Sequence, residues 1–141
     1  MRRPLAPLAV LLLVATPAAH AAPLSGTTIA VNPGHNGGNA RNPGEINRLV
    51  PIGQGVRKAR DPPGSAPPAG LTEAAFNWDV AVRLRRVLRT RGATVVMTRS
   101  SNRGVGPCID ERARIANRAR AAAVVSIHAD GAAPSARGFH V

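Results

Sequence analysis

A chain of 141 residues has room for one domain with a core of its own, and not comfortably for two. Its charge is lopsided: 19 Lys and Arg against 7 Asp and Glu give a formal net charge of +12. With two phenylalanines, one tryptophan and no tyrosine it lacks the aromatic platforms that stack bases, so nucleic acid is set aside as a partner; the charge reads either as biased composition or as affinity for acidic polymers.

Residues 1–21 read as a signal peptide. Arg2 and Arg3 precede an apolar run around Val10–Val14, which Pro4, Pro7 and Pro17 interrupt and which is too short to span a bilayer. Ala19-His20-Ala21 supplies a small-x-small cleavage site. The expectation is an exported protein in the periplasm, wall or medium, a monomer with no membrane attachment after cleavage. Residues 22–141 then form one domain.

Within it, Thr27–Val31 predicts a buried strand that runs into the turn Pro33–Gly38. Residues 41–70 show neither helical nor strand periodicity and contain "NPGE", "IGQG" and "DPPGSAPPAG". They predict a long exposed loop, or a weak hairpin around Leu49–Val56. Leu71–Arg91 predicts a helix, N-capped by Thr72 and stopped by Gly92. Ala93–Thr98 predicts a second strand. Asp110 is expected to cap a second helix from Glu111 to about Ala122, and "AAVVSIH" a third strand ending at His128. "RGFHV" resembles the opening of a fourth. Strands alternating with helices predict an α/β fold, a central, mostly parallel sheet with helices on both faces. Cys108, a lone thiol in "GPCID", has no neighbouring base and is not read as catalytic.

At 100° per residue, Phe76, Val80, Leu84, Val87 and Leu88 make one apolar stripe on the first helix, and Glu73 falls on its centre line. A first-turn acid complements the helix dipole wherever it points; one that continues the buried stripe needs a further reason, because a buried charge requires a partner or a metal. His35 follows the first strand and His128 ends the third, while His140 sits mid-strand in "GFHV" and reads as structural. Sites in open α/β sheets lie beyond the carboxyl ends of strands, the rim where helices also begin. Each histidine alone reads more readily as structural. Together, His35, Glu73 and His128 fit a His₂Glu zinc site with an open position. Gly34, Gly37 and Gly38 are expected to let the backbone bend and a bulky substrate approach.

The ordered segments "VNPGHNGG", "LTEAAFNWDVAVRL", "GATVVMTR" and "DERARIANRARAAAVVSIHADG" resemble the zinc-dependent N-acetylmuramoyl-L-alanine amidases of the amidase-3 type. The resemblance runs from about Thr27 to Val141. It implies an α/β sandwich with a mostly parallel sheet and zinc held by His35, Glu73 and His128. The implied reaction is hydrolysis of the amide between N-acetylmuramic acid and L-alanine in peptidoglycan, the implied partner. Asn32 stands where many members have aspartate; Asn32 and Asp130 are expected around the ligands rather than on the metal. The family's general-base glutamate lies late in the domain and has no counterpart here. It is expected beyond Val141, which makes the chain an amino-terminal part of the catalytic domain with impaired activity. Two alternatives stay open: a non-catalytic basic module that binds peptidoglycan or wall polymers without zinc, and another zinc hydrolase, for which the HExxH motif is missing.

Overall fold

The computed structural model describes residues 22–66, 70–129 and 138. The signal-peptide reading of 1–21, Asp130, His140 and the expected fourth strand lie outside the described residues.

Three parallel strands form the sheet: β1 (Thr28–Pro33), β4 (Thr94–Met97) and β5 (Ala123–Ile127), in the order β4-β1-β5. Between β1 and β4 come a short helix, α1 (Pro43–Ile46), an antiparallel hairpin of β2 (Leu49–Gly53) and β3 (Val56–Ala59), and the long helix α2 (Glu73–Thr90). Helix α3 (Ile109–Arg118) joins β4 to β5. The sheet is parallel and lies in the middle of the fold, as expected.

One crossover moves from β1 out to β4, and the next returns past β1 to β5. Two right-handed crossovers in opposite directions place their helices on opposite faces. Packing agrees: Ile29 and Val31 of β1, with Val95 of β4, meet Ala81 of α2 in the core, flanked by Leu84 and Leu88. The other face carries Asn32, Thr98 and Val124, which line a cavity of about 250 Å³ with Ile109, Arg112, Ala113, Ala116 and Asn117 from α3 and its start.

Helix α2 begins where expected. Thr72 Oγ1 accepts the Ala75 N–H at 3.3 Å. At the other end Gly92, at φ 91°, closes a Schellman motif: Gly92 N–H donates to the Arg89 carbonyl and Ala93 N–H to that of Leu88. The packed stripe, however, runs through Ala74, Asn77, Ala81, Leu84 and Leu88. Ala81 is fully buried, so a small residue on the contact line lets the helix lie close to β1. Phe76, expected in the core, is turned to the side and stays 42 % exposed. Trp78 stacks against Arg99, whose guanidinium carbon lies 5.0 Å from the ring centre.

Helix α3 departs at both ends. Its N-cap is Cys108, without a side-chain capping bond, and Asp110 stands in the first turn, paired with Arg114. The helix stops at Arg118 because Arg120 takes a left-handed conformation at φ 48° and Ala121 N–H folds back to the Ala116 carbonyl. Residues 41–66 contain more order than their composition suggested, since Ile46, Val50 and Asp61 are buried.

Replacing Gly92 by alanine puts a Cβ at positive φ and within 2.9 Å of Ala22 Cβ and Ser25 Oγ. We expect a loss of more than about 1 kcal/mol in denaturant unfolding, with the same secondary structure by circular dichroism.

Candidate metal centre

In the parallel register β1 and β5 run side by side to Pro33 opposite Ile127, and Gly34 N–H continues the ladder to the Ile127 carbonyl at 2.9 Å. The next residue of each chain segment is a site histidine or its neighbour. A Cβ on Gly34 would overlap the His128 ring, so glycine here makes room for that imidazole. Gly37 and Gly38 similarly leave space for Asn102 and Gly104. These glycines serve close approach of protein to protein, rather than the turn and substrate approach expected of them. The residue that takes the left-handed turn is His35 itself, at φ 57°, a conformation that costs a non-glycine residue about 1–2 kcal/mol.

Glu73, the first residue of α2, points to the same rim and is 7 % exposed. Its Oε1 lies 3.1 Å from His35 Nε2 and 3.0 Å from His128 Nδ1, and the two imidazoles meet edge to face. One ligand atom from each of the three residues lies within 4.8 Å of the others. Nitrogens and oxygens at zinc-ligand distances from a tetrahedral ion stand about 3.3 Å apart, close to the two separations from Glu73 Oε1. The His35 and Glu73 side chains are 11 % and 6 % exposed, that of His128 49 %. Access is from the His128 side.

His35 and Glu73 are each oriented by contacts outside the trio. The Pro62 carbonyl lies 2.7 Å from His35 Nδ1; a carbonyl can only accept, so the ring proton sits on Nδ1 and the Nε2 lone pair faces Glu73. Glu73 Oε2 accepts from Ser65 N–H at 2.8 Å and from the Ser65 hydroxyl at 3.1 Å, and Oε1 from Ala129 N–H at 3.1 Å. Burial pushes the Glu73 carboxyl upward. The N–H donors of Ser65 and Ala129, the His128 bond and the electrostatic influence of the nearby His35 ring outweigh it and bring the pKa to about 2.

Two buried arginines hold the turn. Arg112 donates to the carbonyls of Pro33 at 2.7 Å and His35 at 3.0 Å, and pairs with Asp61 at 3.3 Å. Arg99 donates to Pro33 at 3.0 Å and, across the rim, to Ala74 beside Glu73 at 2.7 Å. Burial lowers Arg99 to about 10, with Arg112 adding repulsion and Asp61 opposing it. Asn32 bonds Ser126, Thr98 and Arg112 rather than His35, so it touches the site only through Arg112. The sequence reading missed Asp61, Pro62, Ser65, Arg99 and Arg112. Arg112 carried the same signal as Glu73: a charge continuing the apolar face of its helix, with Ile109, Ala113 and Ala116.

Because the Glu73 pKa falls below its ordinary value of 4.5 to about 2, its stabilising contribution is complete above about pH 4.5 and disappears as pH drops through 2. The stability gap between the metal-free wild type and Glu73→Gln is therefore expected to narrow between pH 4.5 and 2 in urea titrations. A gap independent of pH would contradict the assignment.

Comparison with known proteins gives a consistent result. Residues 29–141 match the family profile described as N-acetylmuramoyl-L-alanine amidase. The N-acetylmuramoyl-L-alanine amidase Rv3717 of Mycobacterium tuberculosis is 41 % identical over 137 residues, covering 94 % of this chain and 56 % of the relative. The crystal structure of the N-acetylmuramyl-L-alanine amidase Ami1 from Mycobacterium smegmatis superposes with a TM-score of 0.73 at 41 % identity, over 79 % of this chain and 50 % of that one. The apo form of Ami1 from Mycobacterium abscessus gives 0.72 at 40 % identity, over 77 % and 50 %. The chain thus spans about half the length of these relatives.

Proposed function

Since the chain belongs to the N-acetylmuramoyl-L-alanine amidase family, we propose that it holds a zinc ion between His35 Nε2, Glu73 Oε1 and His128 Nδ1. It thereby supplies the metal site of a hydrolase that cleaves the amide joining N-acetylmuramic acid to L-alanine in peptidoglycan. The observation that carries this reading is the convergence of three candidate ligand atoms from three separate elements, with His35 and Glu73 already oriented by partners outside the set. Zinc so held contributes Lewis acidity, toward a carbonyl oxygen and toward water.

The chain's own part is to prepare that place. Pro62 keeps the His35 proton away from the ion, and the ionised Glu73 has no proton to lose near neutral pH. His128 closes the open side only halfway, which leaves an approach for a bulky glycan. The positive net charge suits an acidic wall polymer and an exported location. Among the described residues no helix is long and apolar enough to cross a membrane.

Apart from Glu73, each described carboxylate is engaged elsewhere: Glu45 with Arg60, Asp61 with Arg112, Asp79 with Arg83, Asp110 with Arg114, and Glu111 with Arg114 and Arg118. Asp61 also stands on the Nδ1 side of His35, away from Glu73. We therefore place the general base outside the described residues. A general base typically contributes about 10²–10⁴-fold in rate.

The purified chain is expected to carry close to one zinc, and His35→Ala and Glu73→Ala to lose both the zinc and any hydrolysis of a muramoyl-L-alanine substrate. Elemental analysis and product release measure both. A folded wild type without zinc, binding peptidoglycan in a salt-sensitive and chelator-insensitive way, would instead support the charge-driven binding module.

A further inference from the structure

We propose that the turn Asp61–Ser65 is the positioning element of this metal site, and that Ser65 is the residue that makes Glu73 a one-oxygen ligand. The inference rests on the zinc reading above and adds to it a role for residues that do not touch the ion.

The turn is fixed before it reaches the site. Asp61 is buried and held by Asn36 and Arg112, and Asn39 Nδ2 donates to the carbonyls of Asp61 at 3.0 Å and Pro62 at 3.1 Å. Pro62 and Pro63 then restrict the backbone at two consecutive positions, so little freedom remains to be lost when the turn is in place. Gly64, at φ 79°, follows. A Cβ there would come within 2.6 Å of His35 Cδ2 and 2.9 Å of Glu73 Oε2, so the backbone passes directly against both ligands. Ser65 closes the turn through its carbonyl, which accepts the Glu73 N–H at 3.0 Å.

Four consecutive contacts thus converge on two ligands. The Pro62 carbonyl sets the His35 proton, and Gly64 gives the space. The Ser65 N–H and hydroxyl both occupy Glu73 Oε2. The hydroxyl lies 3.1 Å from that charged oxygen and 3.4 Å from the Ala129 carbonyl, so its proton goes to the nearer, charged acceptor. With Oε2 filled by two donors, only Oε1 remains to face the imidazole nitrogens. A carboxylate that would otherwise rotate or chelate through both oxygens is kept in one orientation.

The test uses the full chain and zinc, with affinity read by competition against a chromophoric chelator and folding by circular dichroism of the metal-free protein. Ser65→Ala is expected to fold as wild type and bind zinc about 10–100-fold more weakly, while Ser65→Thr, which keeps the hydroxyl, stays within about threefold of wild type. Equal affinity of Ser65→Ala and wild type would overturn the proposal. So would a loss in Ser65→Thr as large as in Ser65→Ala, or failure of Ser65→Ala to fold, since orienting one carboxylate is not a requirement of the fold. A folded wild type that binds no zinc would remove the metal reading itself, and the positioning role with it.

Discussion

The site depends on how the carbonyls at the end of β1 are satisfied. Past Pro33 the chain leaves the sheet and turns left-handed at His35, so the carbonyls of residues 33 to 35 have no continuing strand ladder, yet most of this segment is buried. Arg112 and Arg99 supply donors from opposite sides, and Asn77 Nδ2 adds one to Gly34 at 3.3 Å. Two buried guanidiniums are a costly way to do this, because Asp61 is the carboxylate that faces them both. Their planar forks suit it: each reaches several carbonyls at fixed angles, which a lysine ammonium on a flexible stem does not. Arg99 also spans to the first turn of α2, so the element carrying His35 and the one carrying Glu73 are fixed relative to each other.

The gathering of His35, Glu73 and His128 at one rim was legible in the sequence because it follows from topology. An apolar run ending in a glycine-rich turn, a helix with a capping threonine and a carboxylate at its start, and a second apolar run ending in histidine each put a ligand at the same rim. The segments could be ordered without knowing any contact. Parallel pairing of β1 with β5 then brings the ends carrying the two histidines together.

What the sequence did not reveal are features set by distance rather than by period. Ser65 and Pro62 lie in a stretch with no helix or strand signal, and their value comes from meeting Glu73 and His35 across the fold. Phe76 was misplaced for a related reason. The hydrophobic stripe of α2 is broad, and the contact line within it is chosen by the small side chains of Ala74 and Ala81, which allow the closest approach, rather than by the largest apolar group. Helix α3 ended early through a left-handed arginine, where glycine would have been the readable stop.

The same geometry links the proposed zinc to the stability of the rim. Strand β5 is paired to β1, and among the described residues nothing pairs its other side; Val124 and Val125, which point to opposite faces, are 54 % and 37 % exposed. Such a strand is apolar on both faces, the pattern of an interior parallel strand, yet here its end is held by the Gly34–Ile127 bond and by Ala129 N–H on Glu73. An ion shared by His35, Glu73 and His128 would tie the ends of β1 and β5 to the start of α2, three elements whose ligands stand 38 and 55 residues apart along the chain. Binding that closes loops of this length adds its free energy to the folded state alone. The arginine clamp and the Asp61–Ser65 turn prepare two of the three ligands without the metal. His128, half exposed and on the least supported strand, is the one whose position the metal has most to gain by fixing.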